Sequence, residues 1–295
     1  MSSIEIINAG ADPGVQSLAV PLLCRCFDEW VDFRNRWGDR FPFLEYSFVA
    51  KTNGEIVGHV GIMPFDIDDG TGGVLRMAGV ASVGVAPEHR GRGIAGMLCE
   101  AAAQWAAGEK YDAMPLYTGV PGVYAKCGWQ AVGSGGEAFA PPDTTNPQHD
   151  RWKRGTELTA REKSLIRKLY AALPPLAGRV RRPADGNFFC SWQWLFQNDL
   201  ARWMVCENGY ALSIDRVLAE IGGVPAFCEN DFCPLSAAFL AADDPAVQSL
   251  TEHNWHRIQH VGEAPECWHG EIAMMRRLSG KALPEQLFFP LADKF

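Results

Sequence analysis

Two arginines and three glycines fall within one seven-residue stretch, Arg90-Gly91-Arg92-Gly93-Ile94-Ala95-Gly96. Glycine lets an oxyanion come close to converging backbone N–H groups, and guanidinium groups beside them favour a phosphate or pyrophosphate. The flanks say what must position this turn. Val80 to Ala86 is an uncharged, β-branched run, and Pro87 ends it because proline cannot donate to a ladder. After the turn, Ile94, Met97, Leu98, Ala101 and Trp105 recur at helical spacing and mark one face. The order is strand, basic glycine turn, helix N-terminus, and the helix dipole adds to the pull on an anion.

Two known layouts share that order. Gly91-x-Gly93-x-x-Gly96 fits the dinucleotide fingerprint, with Asp112 about 20 residues further on. Against it, Pro87-Glu88-His89-Arg90 separate the strand from the glycines, and two arginines flank a turn that should rely on amides. Asp112 also precedes its apolar run, Ala113 to Tyr117, where a ribose-binding acid should end one. The second layout fits better. Arg90-x-x-Gly93-x-Ala95 resembles the Gln/Arg-x-x-Gly-x-Gly/Ala pyrophosphate motif of the GNAT acetyltransferases. Val83-Gly84-Val85-Ala86-Pro87 resembles that family's strand that splays to hold the pantetheine arm. Val123-Tyr124-Ala125-Lys126-Cys127-Gly128-Trp129 resembles its Tyr-x-Lys-x-Gly-Phe/Trp segment.

That resemblance covers about residues 4 to 138 and implies acetyl-CoA as cosubstrate. It implies that the backbone amides of Val83 and Val85 hold pantetheine and the thioester carbonyl. It places the pyrophosphate on Arg90, Gly91, Arg92, Gly93, Ile94 and Ala95, and makes Tyr124 the acid that protonates the leaving thiolate. Ser82 to Gly93, followed by Thr118 to Gly128, is similar to one branch, the enhanced-intracellular-survival acetyltransferases, which acetylate aminoglycosides. Those chains carry an added sterol-carrier-like part, for which this length leaves no room. In them the chain terminus reaches the active site as a base, which points to the Phe295 carboxylate here. Size and layout also resemble the kasugamycin 2′-N-acetyltransferases. The expected role is resistance to such an antibiotic; the alternatives are a peptide or protein amine acetyltransferase, or a non-catalytic acyl-CoA-binding module.

An ammonium acceptor wants carboxylates and rings. Asp28, Glu29 and Asp32, with Trp30 and Trp37, offer both between two helical stretches. The net charge of −8 and pI near 5.4 suit a small cationic amine and argue against nucleic acid. No apolar run approaches a membrane span, and no signal peptide is visible, so a cytoplasmic enzyme is expected. Nine cysteines, an odd count, read as free thiols. Cys24-x-Cys26 and Cys228-x4-Cys233 lack a matching second pair, so no metal is expected. His253, His256 and His260 share a helical spacing with no carboxylate or thiol to complete a ligand set. A homo-oligomer is compatible with these features.

The fold class expected is α/β (α+β): a mixed central sheet with helices on both faces, the GNAT fold, then a second, smaller and degenerate GNAT-like unit. Strands are expected at Ile4 to Ile7, Tyr46 to Ala50, Ile56 to Ile62, Val74 to Ala86, Tyr111 to Tyr117 and Trp129 to Val132. Asn53-Gly54 suits a type I′ hairpin turn. Asp12-Pro13 opens a helix whose face is Val15, Leu18, Ala19, Leu22 and Cys26, and a second helix runs from Gly93 to about Gly108. The coenzyme domain is expected over residues 1–138, a linker over 139–155 and a substrate or partner domain over 156–295. In the latter, Thr159-x-x-Glu162 is a capping box, Phe188 to Phe196 an aromatic core segment, and Trp203 to Ile214 a hairpin. Gln248 to Ile258 reads as a helix, and Glu271 to Leu278 and Gln286 to Leu291 as strands. No Arg-x-x-Gly-x-Gly turn lies within Pro225 to Glu266, so this half should not bind the coenzyme.

Overall fold

The computed structural model describes residues 3–10, 12–38, 46–132, 136–141, 151–183, 190–223, 235–241, 244–252, 254–258 and 272–283. The first half opens with β1 (Glu5–Gly10), α1 (Pro13–Cys26) and α2 (Glu29–Trp37). β2 (Tyr46–Thr52), β3 (Glu55–Asp68) and β4 (Val74–Val85) follow as an antiparallel meander. Asn53 and Gly54 both take positive φ, 52° and 83°, the backbone that a two-residue type I′ turn demands. Then come α3 (Ile94–Gly108), β5 (Ala113–Thr118), α4 (Pro121–Ala125) and β6 (Gln130–Ala131). Asp12 caps α1 through its side chain, accepting from Gly14 N–H, and Pro13 takes the first helical position.

Helices cover both faces of this sheet. A Cβ on Gly58 would stand 2.9 Å from Ile94 Cγ2 of α3, so only glycine lets α3 sit this close. Its strand neighbour His59 points to the other face. There a Cβ on Gly84, the cross-strand partner of His59, would meet Cys26 and Leu23 of α1. The main core lies on the α3 side: Phe48, Ala50, Val60, Ile62, Val80, Ile94, Leu98, Met114 and Trp129 among others. Two helical faces differ from expectation. Leu18 is 63% exposed and Met97 41% exposed, while Ala19, Val20, Leu22 and Leu23 on α1, and Cys99, Ala102, Ala103 and Ala106 on α3, are buried. Both helices are rich in small residues, so the tertiary partner rather than bulk chooses the face.

The second half contains β7 (Gly136–Ala140), α5 (Ala160–Ala171), α6 (Trp192–Gln197), β8 (Ala201–Cys206), β9 (Gly209–Ile214) and β10 (Val217–Gly223). It ends with β11 (Ala237–Ala241), α7 (Ala246–Glu252), β12 (His256–Arg257) and β13 (Ile272–Arg277). Among the described strands the sheet orders are β1-β2-β3-β4-β5-β13-β6 and β12-β7-β11-β10-β9-β8. The division expected at 138 falls inside β7, which belongs to the second sheet. β13 returns to the first sheet and wedges between β5 and β6. The helix expected to Ile258 stops at Glu252, and His256 lies on β12, so the three-histidine helical face does not form. His253 and His260 lie outside the described residues, as do Phe188, Phe189 and the strand expected at 286–291.

The two halves are mixed α/β units of the same plan. Each has a parallel strand pair inside a mostly antiparallel sheet: β4 with β5, and β10 with β11. The second core is a run of ring contacts, Tyr170–Trp192–Phe196–Trp203–Tyr210. The halves are joined by packing and by a strap. Trp194 of α6 packs with Val20, Leu23 and Trp30 of the first half. Residues 178–181 run beside the far end of β3, where Arg181 N–H donates to Asp66 O and Asp68 N–H to Arg179 O.

Candidate active site

The site begins where β4 and β5 part. The two parallel strands pair at Met77 and Ala113 and diverge beyond, while the far edge of β5 is taken by β13. Beyond that pair no described strand bonds to this edge of β4, which leaves main-chain groups to face the split. Ala86 N–H donates to Val57 O of β3. Successive residues of a strand alternate sides, so the amides of Val85 and Val83 point the other way, into the split. A bulge sets that alternation: His59 pairs with Gly84 and Gly61 with Ala81, so Ser82 and Val83 together oppose Val60. Ser82 takes φ +50°, the left-handed region that non-glycine residues rarely enter.

Beyond β4 the chain makes a single 3-10 turn, Pro87 to His89, then Arg90 to Gly93, then α3. Gly91 and Gly93 have φ of 75° and 76°, and a Cβ at either would meet nothing within 4 Å. The turn is therefore left-handed twice and open in front. Gly93 caps α3 with no side-chain bond, so the first amides of a 15-residue helix face outward. That is an anion site at a helix N-terminus. Arg90 Nε donates to Val85 O at 3.1 Å, fixing its guanidinium at the mouth of the split. Arg92 Nη1 donates to His89 Nδ1 at 2.8 Å. Arg25 at the end of α1 pairs with Glu88 at 2.7 Å and ties the turn to α1. Ile94 is buried against β3, and Ala95 follows on the first helical turn.

Tyr124 sits on α4 in the same apolar cluster as Leu98, Cys99, Met114 and Leu116. Its ring meets Trp129 edge-on at 6.3 Å, and Trp129 Nε1 donates to Met114 O of β5 at 2.8 Å. Burial raises the Tyr124 pKa, and the neighbouring Cys99 and Cys127 thiols raise it further, so the phenol keeps its proton. Burial likewise pushes the Cys99 thiol up to about 12. From β13, Arg276 reaches over the Trp129 ring, pairs with Glu100 of α3 at 2.6 Å and donates to Cys127 O at 2.9 Å. This clamp joins α3 to the α4 turn. It was not legible in the sequence, because nothing local says that β13 enters this sheet.

On the acceptor side, Asp28, Glu29 and Asp32 are all exposed near the start of α2. A cavity of about 600 Å³ lies against the same helices, lined by Cys24, Val31, Arg34, Asn35 and Gly38. The three carboxylates are not part of that lining. Trp30, expected as a sugar-facing ring, is instead 3% exposed and packs edge-on against Phe33 and beside Trp194. A nine-residue helix with a mixed charge pattern must bury part of its aromatic content to hold its place, and Trp30 goes inward. The side chain of Trp37 and all of Phe295 lie outside the described residues.

Residues 18–132 match the family model described as an acetyltransferase (GNAT) domain. Solved structures share the fold over both halves. A GCN5-related N-acetyltransferase from Anabaena variabilis is 18% identical with a TM-score of 0.61, covering 94% of this chain and 73% of that one. One from Kribbella flavida is 16% identical with a TM-score of 0.59, covering 94% and 71%. Eis1 from Mycobacterium abscessus is 14% identical with a TM-score of 0.57, covering 94% and 74%. A search of curated protein sequences finds no match. Residues 18–132 are thus an acetyltransferase domain of the GNAT type, an enzyme whose cosubstrate is acetyl-CoA.

Proposed function

We propose that the protein moves the acetyl group of acetyl-CoA to a primary amine of a small cationic acceptor, an amino-sugar of the aminoglycoside kind. The observation that carries the reading is the split of β4 from β5, followed along the chain by the doubly left-handed glycine turn. Tyr124 belongs to the apolar cluster against which Val83 and Val85 pack, which supports a role for its phenol beside the thioester. The pyrophosphate lies on the amides from Gly91 to Ala95, with Arg90 and Arg92 beside it. Pantetheine runs along β4 against the amides of Val83 and Val85, one of which polarises the thioester carbonyl. The deprotonated amine attacks that carbonyl, the tetrahedral oxyanion collapses with cleavage of the C–S bond, Tyr124 gives its proton to the leaving sulfur, and the proton shed by the acetylated nitrogen restores the phenol. We take the coenzyme unit as residues up to about 132 together with β13.

The exposed carboxylates Asp28, Glu29 and Asp32 draw an ammonium group toward α2. A second reading has one observation in its favour: Arg34 and Asn35 line the neighbouring cavity. That lining suits an acceptor pairing its amine with a carboxylate or amide, such as a peptide. The described cysteines are free thiols, which fits a reducing, cytoplasmic setting. Among the described residues no helix is long and apolar enough to cross a membrane. A panel of amino-sugars, kasugamycin among them, and of peptides, read by acetyl-CoA-dependent thiol release, tests both. Turnover confined to amino-sugars supports the first reading, and turnover confined to peptides replaces it with the second.

A further inference from the structure

His59 lies on β3, on the α1 side of the sheet, and is fully buried. Its two ring nitrogens have different partners. Nδ1 is 3.0 Å from the carbonyl of Ser82, and Nε2 is 3.2 Å from Oγ of Ser47 on β2, itself fully buried. A carbonyl can only accept, so Nδ1 carries the hydrogen, and Nε2 is left to accept from the Ser47 hydroxyl. Burial lowers the pKa of the ring to about 4, against the opposing pull of the Ser82 carbonyl, so both bonds persist in the neutral imidazole. The hydrogen-bonded chain Ser47–His59–Ser82 ends on the residue that carries the left-handed turn of the β4 bulge.

We infer that His59, its tautomer set by the Ser82 carbonyl and its ring braced by Ser47, is a positioning residue that holds the Ser82 bulge and thereby aims the Val83 amide at the thioester carbonyl. Ser82 is not glycine, so its left-handed backbone needs an outside partner to persist. The imidazole is that partner, and it grips the carbonyl one peptide bond before Val83 N–H. Ser82 C=O and Val83 N–H belong to one planar peptide unit, so fixing the direction of the first fixes that of the second. His59 itself touches neither coenzyme nor acceptor. The inference rests on the proposed placing of the thioester along β4.

The test uses the full chain with acetyl-CoA labelled with carbon-13 at the carbonyl. A hydrogen bond from Val83 shifts that resonance downfield on binding. His59→Leu loses the shift while calorimetry with plain CoA shows unchanged affinity, since the pyrophosphate turn is intact. His59→Asn, whose side-chain amide can donate to Ser82 O, restores it. A full shift in His59→Leu overturns the inference. Nitrogen-15 spectra of the parent's imidazole need no variant: the Nδ1–H tautomer is expected, and an Nε2–H ring overturns the proposal even if His59→Leu does not fold. Ser47→Ala leaves Nε2 without its hydroxyl partner, so the ring is expected to keep Nδ1–H but to hold Ser82 less firmly and weaken the shift, and an unaltered carbonyl shift removes Ser47 from the scheme. If acetyl-CoA fails to bind the parent, or binds without any carbonyl shift, the underlying reading of the β4 edge falls instead.

Discussion

Tyr124 and His59 are both buried, and burial acts on them in opposite directions because their charged forms differ. Tyr124 is pushed up and stays a phenol, which is what a proton donor to a thiolate must be. Tyr124→Phe keeps the ring against Trp129 and removes only the hydroxyl; kcat is expected to fall by about 10²-fold with unchanged acetyl-CoA affinity. Equal activity in steady-state assays would leave the ring a packing role. His59 is pushed down to about 4 from its ordinary 6.5. The folded state then binds fewer protons than the unfolded chain between those values. The contribution is present above pH 6.5 and is lost as pH falls through 4, amounting to about 3 kcal/mol. Urea unfolding of the parent and of His59→Asn at pH 7 and pH 4 should show that difference; parallel curves would contradict it. Tyr124 and the glycine turn were legible because their spacing is short and local. His59 was not, because a histidine in an alternating strand says nothing until the bulge opposite it is known.

At the scale of elements, β4 and α3 carry the candidate site, and their neighbours set the separation between them. The Asn53-Gly54 turn was readable as chemistry, and so was the central position of β4, uncharged but for Arg76. The buried face of α3 was not, because alanine fits a core or a surface alike, and Met97 turned out exposed. The clamp of Arg276 on Glu100, Cys127 O and the Trp129 ring is an interaction between β13, α3 and the α4 turn. Arg276 holds the Glu100 carboxyl below its usual range by hydrogen bonding, against the opposing effect of burial. Glu100 is about half exposed, so solvent screening leaves a modest effect: Arg276→Ala should cost about 1 kcal/mol in thermal or urea unfolding. No change would mean that β13 is held by its ladder alone.

For the molecule as a whole, the order of strands along the sequence does not give their order in space. The run of strands and helices within residues 1–138 suggested a first unit built from that stretch, yet β6 pairs with β13, drawn from the far end of the chain. Such long-range pairing leaves no local signal. The second half is anchored to the first through the strap at 178–181. The next residue, Arg182, dives into its core, where its fully buried side chain pairs with Glu220 at 2.7 Å and stacks between Tyr170 and Trp192. Tyr210 donates to the same carboxylate at 2.6 Å. Arg182→Met strands a buried charge and should cost about 3–5 kcal/mol, whereas pairing it with Glu220→Leu should recover most of the loss. Additive losses in urea unfolding would show that the two residues act separately.

The central claim is that the left-handed turn from Arg90 to Ala95 binds the coenzyme's pyrophosphate, and calorimetry with acetyl-CoA tests it most directly. Gly93→Asp puts a carboxylate where the phosphates lie, and Gly93 has open space in front of it, so the fold should survive with some backbone strain at φ 76°. The parent is expected to bind acetyl-CoA and the folded Gly93→Asp variant to give no binding heat. A parent that does not bind, or a variant that binds as tightly as the parent, would contradict the claim.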